Sequence, residues 1–171
     1  MEDKKTLRLA GIIRESIVDG PGIRFVVFCQ GCPHDCPGCH NPESHDFNAG
    51  QEIEIEKIVN EIKKNPLLKG VTFSGGEPMC QAAPFAALAR EVKAMGLNLT
   101  VFSGYTYDEL IAKEDNDINE LLSLTDLLID GRYIDKLRDL TLKFRGSSNQ
   151  RLIDMNKTRE KGEIVLREDL M

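Results

Sequence analysis

Short β-type runs alternate with amphipathic helical patterns along most of this chain, and that alternation limits the fold more than any other feature. Ile23 to Cys29 is β-branched and aromatic and reads as a buried strand. Ile55, Ile58, Val59 and Ile62 recur at i, i+3, i+4 and i+7, one face of a helix. Val71 to Phe73 is a short apolar strand behind the turn residue Gly70. Phe85, Leu88, Ala89 and Val92 repeat the helical spacing, and Gly96 closes that helix. Leu97 to Phe102 reads as a third strand, Tyr107 to Lys113 as a helix, Leu121 to Leu124 as the end of another, and Leu127 to Ile129 as a fourth strand. Strands separated by helices imply right-handed crossovers and a largely parallel sheet, either curved toward a barrel or open and doubly wound. In both forms ligands gather at the carboxyl ends of the strands.

Polar or glycine-rich segments sit where that rule places function. A cysteine loop follows the first strand, Gly75-Gly76-Glu77-Pro78 the second, Ser103-Gly104-Tyr105 the third and Asp130-Gly131-Arg132 the fourth. The loop carries Cys32, Cys36 and Cys39 within eight residues. Thiolates suit zinc, copper(I) and iron–sulfur clusters. Three cysteines on a four-iron cluster leave one iron open to a small molecule, whereas a simple ferredoxin-like carrier needs a fourth. Structural zinc, with His34 or His40 as the fourth ligand, is the competing reading. Cys29 lies in the apolar strand and reads as core packing, as does Cys80 after Met79.

Composition excludes several classes. The 171 residues predict a single domain, 1–171, with a net charge of -6 that argues against nucleic acid as the main partner. No apolar run approaches membrane-spanning length and the charged N-terminus lacks a signal core, so a cytoplasmic protein is expected. In a reducing compartment the cysteines form a metal or redox site rather than disulfides.

Cys32-Pro-His-Asp-Cys36-Pro-Gly-Cys39 resembles the signature of the radical S-adenosylmethionine enzymes. The run Val18-Asp-Gly-Pro-Gly-Ile-Arg24 is similar to the glycyl-radical-enzyme activases of that superfamily. Phe144-Arg-Gly-Ser-Ser-Asn-Gln-Arg151, with the Gly75 and Leu128-Ile-Asp-Gly-Arg132 segments, resembles the activases of anaerobic ribonucleoside-triphosphate reductase. The resemblance spans about Ile13 to Asp154.

The resemblance implies a [4Fe-4S] cluster on Cys32, Cys36 and Cys39, whose fourth iron binds S-adenosylmethionine. One electron cleaves the cofactor to methionine and a 5′-deoxyadenosyl radical, which takes a hydrogen atom from a glycine of the partner enzyme. It further implies that Gly75 and Gly76 meet the methionine end of the cofactor, with Glu77 near its amino group. Gly38, Cys39 and His40 would meet the adenine. Arg132 would hold the methionine carboxylate, and Ser103 and Asp130 would touch the ribose or a bound cation. The implied partners are the large glycyl radical subunit of the reductase and a one-electron reductant such as flavodoxin or ferredoxin. Pyruvate formate-lyase, or a small molecule as in the carboxy-deazaguanine synthases, stands as an alternative target, and a zinc-stabilised binding module as a non-catalytic one. Small size favours a protein substrate, because a short chain cannot enclose a reaction chamber alone.

Pattern and resemblance together predict an α/β fold with a curved, mostly parallel sheet. It is a shortened partial (β/α) barrel with an open lateral face, because a full barrel needs about 250 residues. Leu7 to Arg14 is expected to add an edge strand. The polar Gly146–Gln150 segment is expected to form a loop before a strand from Leu152 to Met155.

Overall fold

A computed structural model describes residues 6–39 and 42–171. Seven strands form one sheet: β1 (Thr6–Ser16), β2 (Arg24–Cys29), β3 (Gln51–Glu54), β4 (Gly70–Gly75), β5 (Asn98–Ser103), β6 (Leu127–Asp130) and β7 (Arg151–Asp154). Their order is β3-β1-β2-β4-β5-β6-β7. The helices are α1 (Ile55–Lys63), α2 (Ala82–Ala94), α3 (Tyr107–Ala112), α4 (Asn116–Leu124) and α5 (Met155–Lys161).

The four central strands, β2, β4, β5 and β6, run parallel. They carry the helical crossovers and are the part of the sheet that the hydrophobic pattern marks out. β1, β3 and β7 pair antiparallel at the margins. The curved sheet stays open, so the architecture is a partial barrel. β1 lies one place in from the edge rather than on it, because β3 pairs with its outer side. β3 escapes an apolar search: Gln51, Glu52 and Glu54 are exposed, and such charge is how an edge strand discourages further pairing.

Successive strand residues point to opposite faces. Phe25, Val27 and Cys29 of β2, Val71 and Phe73 of β4, and Leu99 and Val101 of β5 join the core shared with α1, α2 and α4. Ile55, Ile58, Val59 and Ile62 supply the buried stripe of α1, at the predicted spacing. On the other face Leu127, Ile129 and Leu152 form a smaller cluster with Phe102, Phe144 and Leu170. A Thr106–Glu109 capping box starts α3, satisfying two orphan amides reciprocally.

Phe73 is fully buried, with its ring 4.6 Å from that of Phe85 on α2. Phe73→Ala is expected to lower unfolding free energy by about 3–5 kcal/mol. Urea denaturation of the reduced protein reads that loss.

Candidate active site

Parallel strands that end together deliver their following turns to one rim. β2 pairs with β4 so that Cys29 lies opposite Gly75, and β5 with β6 so that Ser103 lies opposite Asp130. At that rim is a cavity of about 540 Å³, within the range of a small-molecule or cofactor site. Cys32, Cys36, Cys39, Gly75, Gly76 and Ser103 line it together. So do Val18 and Asp19, which precede β2, and Arg145, Gly146 and Gln150, which precede β7. Segments far apart in the chain thus meet at one opening.

The three cysteines are each half-buried. Backbone bonds shape their loop: Gly31 N donates to Ser44 O at 2.6 Å, Cys32 N to His45 O at 3.1 Å, and Cys39 N to Cys36 O at 3.1 Å. His45 Nε2 lies 3.3 Å from Cys39 Sγ. Burial pushes the Cys32 thiol up to about 11, and the Glu77 charge adds to the rise. Burial raises the Cys36 thiol as well. Cys29 sits on the helix-facing side of β2, fully buried, with its sulfur 3.5 Å from Glu77 O and 3.1 Å from Gln81 Nε2. Cys80 is solvent-exposed rather than packed, and it does not line the cavity. Three half-buried thiols at a cavity mouth, with the two other cysteines placed elsewhere, are a donor set that fits a cluster with one iron left open. His34 Nε2 is bonded to Glu77 Oε1 at 2.6 Å, which leaves only its Nδ1 for the zinc reading. His40 lies outside the described residues.

The Gly75-Gly76 turn is stitched to the root of the cysteine loop. Gly76 N donates to Cys29 O at 2.8 Å and Glu77 N to Gly31 O at 2.7 Å. Gly75 has φ +92, which disfavours any side chain, and a Cβ there would stand 2.6 Å from Cys29 N. A Cβ on Gly76 would stand 2.3 Å from Gly31 O. The missing side chains therefore admit the chain's own backbone, while both glycines still line the cavity.

Three expected cofactor contacts are engaged by the chain's own groups instead, two of them buried and Arg132 at the surface. Glu77 is fully buried, its Oε1 accepting from His34 and from Gly104 N at 2.8 Å, its Oε2 from Ser103 Oγ at 2.9 Å and Met79 N at 3.1 Å. With both oxygens engaged it braces the site from beneath. Asp130 is also fully buried, held by Arg151 at 3.0 and 2.6 Å and by Tyr107 N at 2.7 Å. Arg132 forks onto Glu109 at 3.3 and 3.2 Å and does not line the cavity. Ser103 does line it, its hydroxyl donating to Glu77. Gly38 lies against Asp135 and Tyr133, beside the opening rather than in it.

Two structural features carry residues that the sequence assigned no role. Arg24, the last residue of the Val18 run, is 1% exposed. Its guanidinium donates to Thr72 Oγ1 at 2.7 Å, Pro21 O at 2.8 Å, Val71 O at 2.9 Å and Asn98 Oδ1 at 2.8 Å. Burial lowers it to about 10, so it stays charged at neutral pH. Thr72 Oγ1 in turn donates to Asp19 O at 2.7 Å. A buried cation at the start of β2 thus ties the loop that carries Val18 and Asp19 to β4 and β5. The polar tail is a closed turn: Gln150 Oε1 accepts from Gly146 N at 2.9 Å, and its Nε2 donates to Gly131 O at 3.0 Å. The sequence marks both segments as motifs, but nothing in them says which atoms they bind.

Gly76→Ala is expected to destabilise the protein by more than about 2 kcal/mol, because rigid backbone faces the new methyl. Chemical denaturation alongside wild type reads this, and a loss under 0.5 kcal/mol (roughly the surface-substitution range) contradicts the stitched turn.

Residues 18–153 match the 4Fe-4S single cluster domain family. The anaerobic ribonucleoside-triphosphate reductase-activating protein of Salmonella typhi is 37% identical over 142 residues, covering 78% of this chain and 90% of that protein. The pyruvate formate-lyase-activating enzyme of Staphylococcus epidermidis is 34% identical over 143 residues, covering 80% of this chain and 56% of that one. Among solved structures, QueE from Escherichia coli aligns with a TM-score of 0.44 at 14% identity, over 59% of this chain and 53% of that chain.

Proposed function

The chain belongs to the 4Fe-4S single cluster domain family and, within it, to the anaerobic ribonucleoside-triphosphate reductase-activating proteins, and from that premise we propose that it generates the glycyl radical of such a reductase. One observation carries the reading: three half-buried thiols line a nucleotide-sized cavity while Cys29 is folded into the core. Cys32, Cys36 and Cys39 hold a [4Fe-4S] cluster and leave one iron for S-adenosylmethionine. Bound together, the two groups supply one-electron cleavage of the sulfonium and transfer of a glycine hydrogen atom to the 5′ carbon, giving methionine, 5′-deoxyadenosine and a glycyl radical.

The chain's own residues position and shield. Gly75 and Gly76 present backbone to the methionine end, and Ser103 faces the same space. The adenine contacts stay with the end of the cysteine loop, at Gly38, Cys39 and His40. Val18, Leu140 and Leu142 give the opening an apolar rim that a partner's glycine segment can cover, excluding water from the reacting carbon. Flavodoxin or ferredoxin is the proposed reductant and the cytoplasm the proposed location. Among the described residues no helix is long and apolar enough to cross a membrane. Nucleic acid is not a partner on this reading, in keeping with the net charge of -6.

Anaerobic reconstitution, followed by reductant, S-adenosylmethionine and a candidate glycyl radical enzyme, tests the proposal by electron paramagnetic resonance. A glycyl doublet is expected with the anaerobic reductase. The likeness to the Staphylococcus epidermidis enzyme favours a second reading, and a doublet with pyruvate formate-lyase alone would replace the first by it. No doublet with any partner, despite a complete cluster, would sink both. Cys36→Ala is expected to abolish 5′-deoxyadenosine formation, read by chromatography, while leaving the unfolding midpoint within a few degrees of wild type, since the thiol leaves no core void.

A further inference from the structure

His34 lies between Cys32 and Cys36 and lines the same cavity, yet its side chain is only 5% exposed. Nε2 is 2.6 Å from Glu77 Oε1. The other groups bonded to that carboxylate, Gly104 N, Met79 N and Ser103 Oγ, all donate. A carboxylate only accepts, which assigns the proton of the fourth bond to Nε2. The imidazole is also held edge-on by Tyr105, with centroids 4.5 Å apart, and Lys113 Nζ lies 4.5 Å from the centre of that tyrosine ring. Gly104 closes the slot: a Cβ there would stand 2.4 Å from His34 Cδ2. An exposed cysteine loop is thus anchored at its centre by a buried ring whose partners come from the turns after β4 and β5.

We propose that His34 is a positioning residue, clamping the Cys32–Cys36 span onto the Glu77 carboxylate and so fixing the spacing of the thiols and the environment of the group they hold. The clamp acts through the loop, by holding the backbone that carries Cys32 and Cys36. It rests on the cluster-binding reading above for its purpose, but its geometry is made by protein groups alone.

Two measurements on the full chain test it. In the metal-free reduced protein, amide hydrogen exchange of the segment from Gly31 to Cys39 is expected to rise about tenfold or more in His34→Ala, with exchange in β4 and β5 unchanged. Gly104→Ala displaces the ring without removing it and is expected to do the same, which keeps the test alive if His34→Ala fails to fold. His34→Gln, whose amide N–H can reach the same oxygen, is expected to restore part of the protection. After anaerobic reconstitution, the reduced cluster of the Ala variants is expected to show a shifted or broadened paramagnetic resonance signal and a displaced midpoint potential. Loop exchange within about twofold of wild type in both Ala variants overturns the clamp. So does an unaltered signal and potential in both. If wild type takes up no cluster, the proposed function fails, while the exchange experiment still decides the clamp.

Discussion

Register between β2 and β4 is the constraint from which the site follows. With Cys29 opposite Gly75, the two strands end level, and the turns that leave them are drawn together by Gly76 N on Cys29 O and Glu77 N on Gly31 O. Those two bonds need bare backbone at both glycines, since a methyl on either would meet main-chain atoms. Once the turns are joined, the Glu77 side chain falls beneath the cysteine loop, where His34, Ser103 and the Gly104 amide converge on it. A slip of one residue would send every strand side chain to the opposite face and part the turns as well.

Burying an ionised carboxylate is costly unless donors replace its water. Glu77 has four, two of them backbone amides that cannot swing away. Arg24 solves the converse problem at the start of β2, where carbonyl and hydroxyl oxygens solvate the cation. Both groups spend charge on holding loops rather than on contacting a ligand. The cavity lining can then be small and plain, since the order it needs is supplied from behind.

The parallel core and helices α1 to α4 were legible because apolar spacing reports burial directly, whereas α5, with Met155 read as the end of a strand, was not. Ile55, Ile58, Val59 and Ile62 are all buried, and the four central strands begin and end within a residue or two of their apolar runs. β3 was not legible, because three of its four residues are polar and its identity comes from pairing with β1. The cysteine loop could be found from spacing alone. The inward turn of Glu77 and Asp130, and the surface pairing of Arg132, could not. Each direction is decided by a partner distant in sequence: His34, Arg151 and Glu109 respectively. A motif shows which side chains occur at the rim, and only the packing around them settles which way they face.

Both margins of the sheet are finished. On one side β3 shows glutamates to solvent; on the other, the chain folds back so that Leu166 bridges Ile153 and Val165 O receives Asp154 N. Neither margin offers a clean ladder for strand addition. A protein visitor is thereby steered to approach end-on, over the tips of the strands, and its recognition must come from loop shape and side chains rather than from generic backbone pairing. Selectivity among large partners can then be altered by redrawing a few surface loops, with the scaffold below them left intact.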